Sequence, residues 1–260
     1  MAEEKKSWYS TGYDGIDREK ERLARLSGPN RFWMKEGTTR EVVFIDDDPF
    51  CCYEHNPKLN GKWTNWFTCL KDSNDIISCC EKLGEKTRYY VGYYTVVDLT
   101  SHTDAKGNKY QYEVKLLPTK LKTLQLIRRK KQDRGSLIGC VFKVHRDSQE
   151  DPNCGGEFEF QKEGDLGKLF PHANYKGKKL VELYKEATEK PDTLQRLKDT
   201  FQMTLDSNGH PEPKIFSFNY MSLLQPKDPK EIRSILGSAS IEASGDGTEA
   251  SGPVDDTVPF

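Results

Sequence analysis

Residues 88–146 read RYYVGYYTVVDLTSHTDAKGNKYQYEVKLLPTKLKTLQLIRRKKQDRGSLIGCVFKVHR, and their texture decides the fold. Arg88–Leu99 is dense in aromatic and β-branched residues, the composition of a packed strand. Lys106-Gly107-Asn108 is a turn. After it, Lys109–Leu117 alternates Tyr110, Tyr112, Val114 and Leu116 on one face, and Pro118 closes the run. The period then changes. Over Thr119–Gln132, Leu121, Leu124 and Ile127, with Leu126 beside them, form the apolar stripe of a helix. Arg128-Arg129-Lys130-Lys131 stand at its C-terminal end, where cations suit the helix dipole, and Gly135 stops it. Leu137–Arg146 returns to strand character.

Upstream, Arg31–Lys35 and Arg40–Ile45 look like two short strands around Glu36-Gly37, the second ended by Asp46-Asp47-Asp48-Pro49. Phe50–His55 is a third, and Asn60-Gly61 is a hairpin turn before Lys62–Leu70. Downstream, Gly156–Gln161 is a shorter strand. This order predicts a mainly β chain with added helices. Its core is expected to be an OB-fold, the five-stranded Greek-key barrel that binds oligonucleotides or oligosaccharides, with a helix between its later strands. Residues 179–206 read as helical around Pro191, and Ile215–Leu224 as a last packed segment. The resulting organisation is an N-terminal arm over 1–28, carrying the charged helix candidate DREKERLARL at 17–26. A core with insertions follows over 29–225. Residues 226–260 are a short helix, Pro229–Leu236, and an acidic tail too poor in apolar residues to order itself.

The chain has 260 residues, 35% of them apolar, with 28 Phe, Trp and Tyr to build a core. No apolar run approaches the roughly 20 residues of a membrane helix, and the N-terminus leads into no apolar stretch, so a cytoplasmic protein without membrane contact is expected. Seven cysteines, including the adjacent pairs Cys51-Cys52 and Cys79-Cys80, do not form a disulfide-framework pattern. The net charge of −1 hides an asymmetry. Residues 237–260 carry five acids and no Lys or Arg, which leaves 1–236 at +4. Residues 115–146 hold ten Lys/Arg against the single acid Asp133. A basic stripe with an acidic tail is an interaction pattern.

Single-stranded nucleic acid is held by cations on its phosphates and flat rings on its unpaired bases. Both occur here, interleaved. The candidates are Trp33, Lys58, Lys62, Trp63, Trp66, Arg88, Tyr90, Tyr94, Tyr110, Tyr112, Lys115, Lys122, Arg128 and Arg129. Strand alternation places Trp63, Asn65 and Phe67 on one face and Thr64, Trp66 and Thr68 on the other, and splits each Tyr-Tyr pair in the same way. A second constellation is His55, Cys69 and Cys79, spaced His-x13-Cys-x9-Cys, which offers three soft ligands for a structural zinc. Lys82 stands where a closing Cys-x2-Cys pair would place the fourth. Cys80, Cys51 or Cys52 could supply the missing sulfur.

Arg31-Phe32-Trp33-Met34, Asp46-Asp47-Asp48-Pro49, Tyr53-Glu54-His55, Asn60-Gly61-Lys62-Trp63 and Tyr89–Asp98 together resemble the bacteriophage single-stranded DNA-binding proteins over roughly 31–160. The His55/Cys69/Cys79 spacing is similar to the zinc subdomain found among them. The resemblance implies an oligonucleotide-binding barrel, sequence-nonspecific binding in replication, recombination or repair, and residence in the cytoplasm of an infected bacterium. Asp255-Asp256-Thr257-Val258-Pro259-Phe260 resembles the acidic tip of bacterial single-stranded DNA-binding proteins. That likeness implies that Asp255, Asp256, Pro259 and Phe260 dock a polymerase, helicase or nuclease. Phe260 suits an apolar pocket and the carboxylates suit basic residues on the partner. The chain lacks a Gly-Lys-Ser/Thr phosphate loop, a His-Glu-x-x-His and a Gly-x-Ser-x-Gly, so a non-enzymatic binder is expected. The alternative is a metal-dependent nuclease or recombination enzyme that holds Mg²⁺ on Asp46-Asp47-Asp48.

Overall fold

A computed structural model describes residues 30–59, 62–63, 66–71, 79–83, 88–103, 109–227, 231–232 and 236. The N-terminal arm and the acidic tip lie outside these residues. The fold is mixed, a nine-stranded sheet with helices on its faces. Its central strands are β1 (Thr38–Phe44), β2 (Phe50–His55), β3 (Lys58–Leu59), β4 (Lys62–Trp63), β5 (Phe67–Thr68) and, after the short helix α1 (Cys79–Leu83), the eleven-residue β6 (Arg88–Asp98). A small hairpin, β7 (His102–Thr103) with β8 (Lys109–Tyr110), precedes β9 (Glu113–Lys120). Helix α2 (Leu121–Arg134), β10 (Cys140–Arg146) and β11 (Glu157–Glu163) follow.

The strand order β11-β10-β1-β6-β9 is antiparallel throughout. Within it, β10-β1-β6-β9 has the spatial order of a Greek key, and α2 bridges its third and fourth strands. β6 is long enough to pair with β1 through its C-terminal end and with β2 through its N-terminal end, so β1 and β2 run as one broken strand along it. The expected closed five-stranded barrel is not formed. Among the described residues β9 and β11 do not pair, and the sheet stays open. A different segment fills the seam. Phe32 N–H donates to Leu116 O (2.7 Å), Leu116 N–H to Asn30 O (2.9 Å) and Met34 N–H to Asn153 O (2.8 Å). Phe32 and Met34 are buried. The stretch read as a short strand at Arg31–Lys35 is therefore a plug between β9 and the β10–β11 loop.

Both faces of the sheet are covered. On one, Phe44, Tyr94, Val96, Leu117, Phe142 and Phe158 pack with Leu124 and Ile127 of α2. Ring pairs such as Phe44–Tyr94 meet edge-on, centroids 5.4 Å apart, an arrangement that adds to area burial. On the other face lies the C-terminal part of the chain, comprising α3 (Leu166–Leu169) and the helices α4 (Leu180–Glu189), α5 (Pro191–Thr200) and α6 (Tyr220–Leu223), while the pair β12 (Asn174–Tyr175) and β13 (Lys178–Lys179) extends the sheet beyond β9. Pro191 opens α5, where its missing N–H is not needed. Tyr220 latches this layer by donating to Asp46 and meeting Thr95 Oγ1 at 2.7 Å.

Two expectations fail for backbone reasons. The run Lys109–Leu117 is not one strand, because Tyr112 takes φ +57° and breaks it before β9. Pro118 does not end β9 either. Leu116 directs its N–H away from β6, to Asn30, and Pro118, two residues on, points the same way. Its missing donor costs no ladder bond.

Candidate nucleic-acid trough and metal centre

The register Cys51↔Gly92, Tyr53↔Tyr90 and His55↔Arg88 sets these six residues on one face of β2 and β6, the face that carries Tyr94 in the core. Beyond the core the face opens. Tyr53 and Tyr90 are 36% and 41% exposed, with centroids 5.1 Å apart at 65°. The Arg88 guanidinium lies 3.6 Å from the centre of the Tyr53 ring. A hydrogen bond with the exposed Cys51, together with burial, pushes the Tyr90 phenol up to about 12, so it is neutral at physiological pH.

Helix α2 walls one side of this floor. An added Cβ at Gly92 would stand 2.4 Å from Leu124 Cδ2, so the glycine is what lets the helix lie against β6. Leu121, Leu124, Arg128 and Lys131 recur at helical spacing on one stripe. Leu124 touches Gly92, and Lys131 Nζ reaches Asp48 Oδ1 (2.7 Å) in the β1–β2 turn. That fixes the stripe, with exposed Leu121 and Arg128, along the edge of the tyrosine floor.

The other side is a cysteine lobe. β5 pairs with the end of β2, His55 opposite Phe67. His55, Cys69, Cys79 and Cys80 are all buried, and their ligand atoms lie within 4.8 Å of one another. Cys69 Sγ is 3.5 Å from Cys80 Sγ and 3.6 Å from Cys79 Sγ, and Cys80 Sγ is 3.5 Å from His55 Nε2. Burial pushes the Cys79 thiol up to about 12 even though Leu70 N–H donates to its sulfur (3.3 Å). Four converging soft donors of this kind can hold a metal ion. The fourth is Cys80, not Cys51 or Cys52. Cys51 is exposed beside Tyr90, and Cys52 points to the opposite face. The short helix α1 turns Cys79 and Cys80 inward together, which strand-like spacing rules do not anticipate.

The remaining candidates are scattered. Trp66 is half-buried on the opposite face, where it meets Tyr89 (6.1 Å) and lies 5.5 Å from Arg31. Arg31 also bonds Glu54 Oε2 (3.2 Å), and Lys120 sits over Tyr89 (4.9 Å). Lys122 and Arg129 line a cleft of about 280 Å³ with Asp151 and Pro152, on another flank of α2. Trp33 lies in the plug with its indole N–H enclosed. Tyr112 packs on His172 (5.8 Å), at the far end of β9, about 25 Å along the strand from Lys120.

Two assignments are corrected. Tyr94 is 2% exposed and belongs to the core, because it packs in the apolar cluster that α2 covers. Lys115 is 6% exposed and paired with Asp98 (3.1 Å), which Arg40 also bonds (2.7 Å), so it does not face solvent phosphate. Burial lowers its pKa, opposed by Asp98. The side chains of Lys58, Lys62, Trp63 and Tyr110 and the expected turn at Asn60-Gly61 lie outside what is described, while β3 and β4 pair with each other. Sequence reasoning missed Tyr53, whose signal was its register partner Tyr90, and Gly92, whose signal was a glycine inside a strong strand.

The acidic run does not gather into a cation site. Asp46 accepts from Tyr220 and Thr95 N–H, Asp47 from Leu137 N–H (2.7 Å) and Ser136 (2.8 Å), and Asp48 pairs with Lys131. Among the described residues, no helix is long and apolar enough to cross a membrane. Comparison with protein-family profiles, curated proteins and solved structures finds no match to this chain.

Proposed function

We propose that the chain is a sequence-tolerant single-stranded DNA-binding protein and that the strand lies in the trough between α2 and the cysteine lobe. The observation that carries this reading is the exposed Tyr53–Tyr90 pair, flanked by Arg88 on the sheet and Arg128 on the helix. Two open rings beside cations offer stacking and phosphate neutralisation together, and neither device reads base identity. The β10-β1-β6-β9 Greek key with its bridging helix supports an oligonucleotide-binding barrel whose closing seam is taken by Asn30–Met34. The likeness of Arg31–Met34, Tyr53–His55 and Tyr89–Asp98 to phage single-stranded DNA-binding proteins points the same way, and with it to work in replication, recombination or repair inside a host bacterium. The splayed Asp46, Asp47 and Asp48 favour a binder over a nuclease. The Asp255, Asp256, Pro259 and Phe260 tip would recruit a polymerase, helicase or nuclease.

The metal we assign to the cysteine lobe is zinc. A tetrahedral zinc with bonds of about 2.3 Å to sulfur and about 2.05 Å to nitrogen implies edges near 3.8 Å between sulfurs and near 3.6 Å from sulfur to nitrogen. Three of the six separations, at 3.5–3.6 Å, lie close to that frame, and all six fall within 4.8 Å. Its role would be structural, since four protein ligands leave no open position.

Titration of the chain into labelled oligo(dT), read by anisotropy at two salt concentrations, tests the function. Binding, weakened by salt, is expected. Absence of binding at low salt would overturn it.

A further inference from the structure

The cysteine lobe buries more than its four ligands. Phe67, Cys69, Leu70, Cys79, Cys80 and Leu83 form one apolar cluster with Ile232 and Leu236, which are 3% and 4% exposed. The last two come from a different part of the chain, beyond the layer that covers the opposite face of the sheet. Thr68 marks the crossing. Its hydroxyl donates to Leu224 O (2.7 Å) on that opposite face, while its neighbours Phe67 and Cys69 belong to the lobe. Leu224 therefore meets β5 from the opposite face, whereas Ile232 and Leu236 rest on the lobe.

We infer that the metal centre is a clasp for the C-terminal segment, holding Ile232 and Leu236 through α1. α1 is five residues long, far below the roughly 12–15 at which an isolated helix becomes even marginal in water. Among the described residues the cluster has eight members, and small lobes of this kind take their stability from a bound metal. Cys79 and Cys80 are ligands on one side of α1, and Leu83 packs with Ile232 and Leu236. Loss of the metal removes what fixes α1, and with it the surface on which Ile232 and Leu236 rest. The stretch after Leu236 carries Glu242, Asp246, Glu249, Asp255 and Asp256. The clasp fixes where that acidic stretch starts, on the lobe that walls the Tyr53–Tyr90 trough. The inference rests on the metal-centre reading of the four donors, not on DNA binding.

Hydrogen–deuterium exchange on the full chain, with zinc bound and after chelation at neutral pH, tests it. With metal, peptides spanning 228–236 should exchange slowly. After chelation they should exchange at least about tenfold faster, while β1 and β10 peptides stay protected. A double variant, Ile232→Ser with Leu236→Ser, should speed exchange of the same peptides while cobalt still gives its thiolate charge-transfer absorbance. Unchanged protection of 228–236 in either arm would overturn the clasp, as would loss of protection across the whole sheet on chelation. Failure of the chain to bind zinc or cobalt at all would overturn the metal-centre reading, and the clasp with it.

Discussion

Tyr53 and Tyr90 face each other across β2 and β6, their rings 5.1 Å apart and edge-on, and both open to solvent beside the exposed Cys51. In the proposed complex each ring would stack on a base, a contact worth about 1–3 kcal/mol. Tyr53→Ala and Tyr90→Ala should each weaken oligo(dT) binding about five- to a hundredfold in anisotropy titrations, with unchanged melting of the fold. Lys115→Met, at the buried pair with Asp98, should shift melting and leave affinity alone.

Arg128 stands on the stripe that Gly92 and Asp48 fix against the trough, whereas Arg129 lines the separate cleft with Asp151. Arg128→Glu should weaken binding and lower the slope of log K against log salt by about one. Arg129→Glu should change the slope less. Equal slopes for the two variants would place the strand elsewhere.

The approach of α2 depends on Gly92. A Cβ there meets Leu124, so Gly92→Ala should cost about 1–3 kcal/mol in urea unfolding. Gly92→Ala with Leu124→Val should recover part of that loss as a favourable coupling in a double-mutant cycle.

The donor set makes a sharp distinction among adjacent cysteines. Cys80→Ser should abolish stoichiometric zinc and lower the melting temperature, while Cys52→Ser, on the opposite face, should keep the metal. Zinc retained by Cys80→Ser would contradict the assigned centre.

Asp46 is held by Tyr220 and Thr95, yet burial raises its pKa above the ordinary 3.8. A carboxyl with a raised folded-state pKa binds its proton more tightly in the native chain. Its contribution to stability is therefore full below pH 3.8 and is lost as pH rises through the raised value. Asp46→Asn carries no such proton, so its stability relative to the parent should improve as pH climbs through that window. Chemical denaturation at several pH values, comparing parent and variant, measures this directly.

The strands were legible where composition and alternation agree, as in Arg88–Asp98 and Phe50–His55, and so was α2 from its leucine spacing. That the sheet stays open was not, because it depends on which segments meet the outer edge of β9. Asn30–Met34 reaches that edge through two backbone bonds that leave no mark in the sequence. Tyr94 and Lys115 were misjudged for a related reason. Alternation says that a residue faces one side of a sheet, but not whether that side is covered, and here helices cover both. The candidate ligands His55, Cys69 and Cys79 could be read from spacing, with Cys80 as one of three possible fourth donors until the turn of α1 sets it among them.

The most direct test of the trough is competition between an unlabelled homopolymer and duplex DNA for labelled oligo(dT) in dilute buffer, run on the parent chain and on Tyr53→Ala/Tyr90→Ala. The account predicts that the homopolymer displaces the label far better than duplex does, and that the double variant loses most of that preference. Equal displacement by duplex, or a double variant that binds oligo(dT) as the parent does, would contradict it.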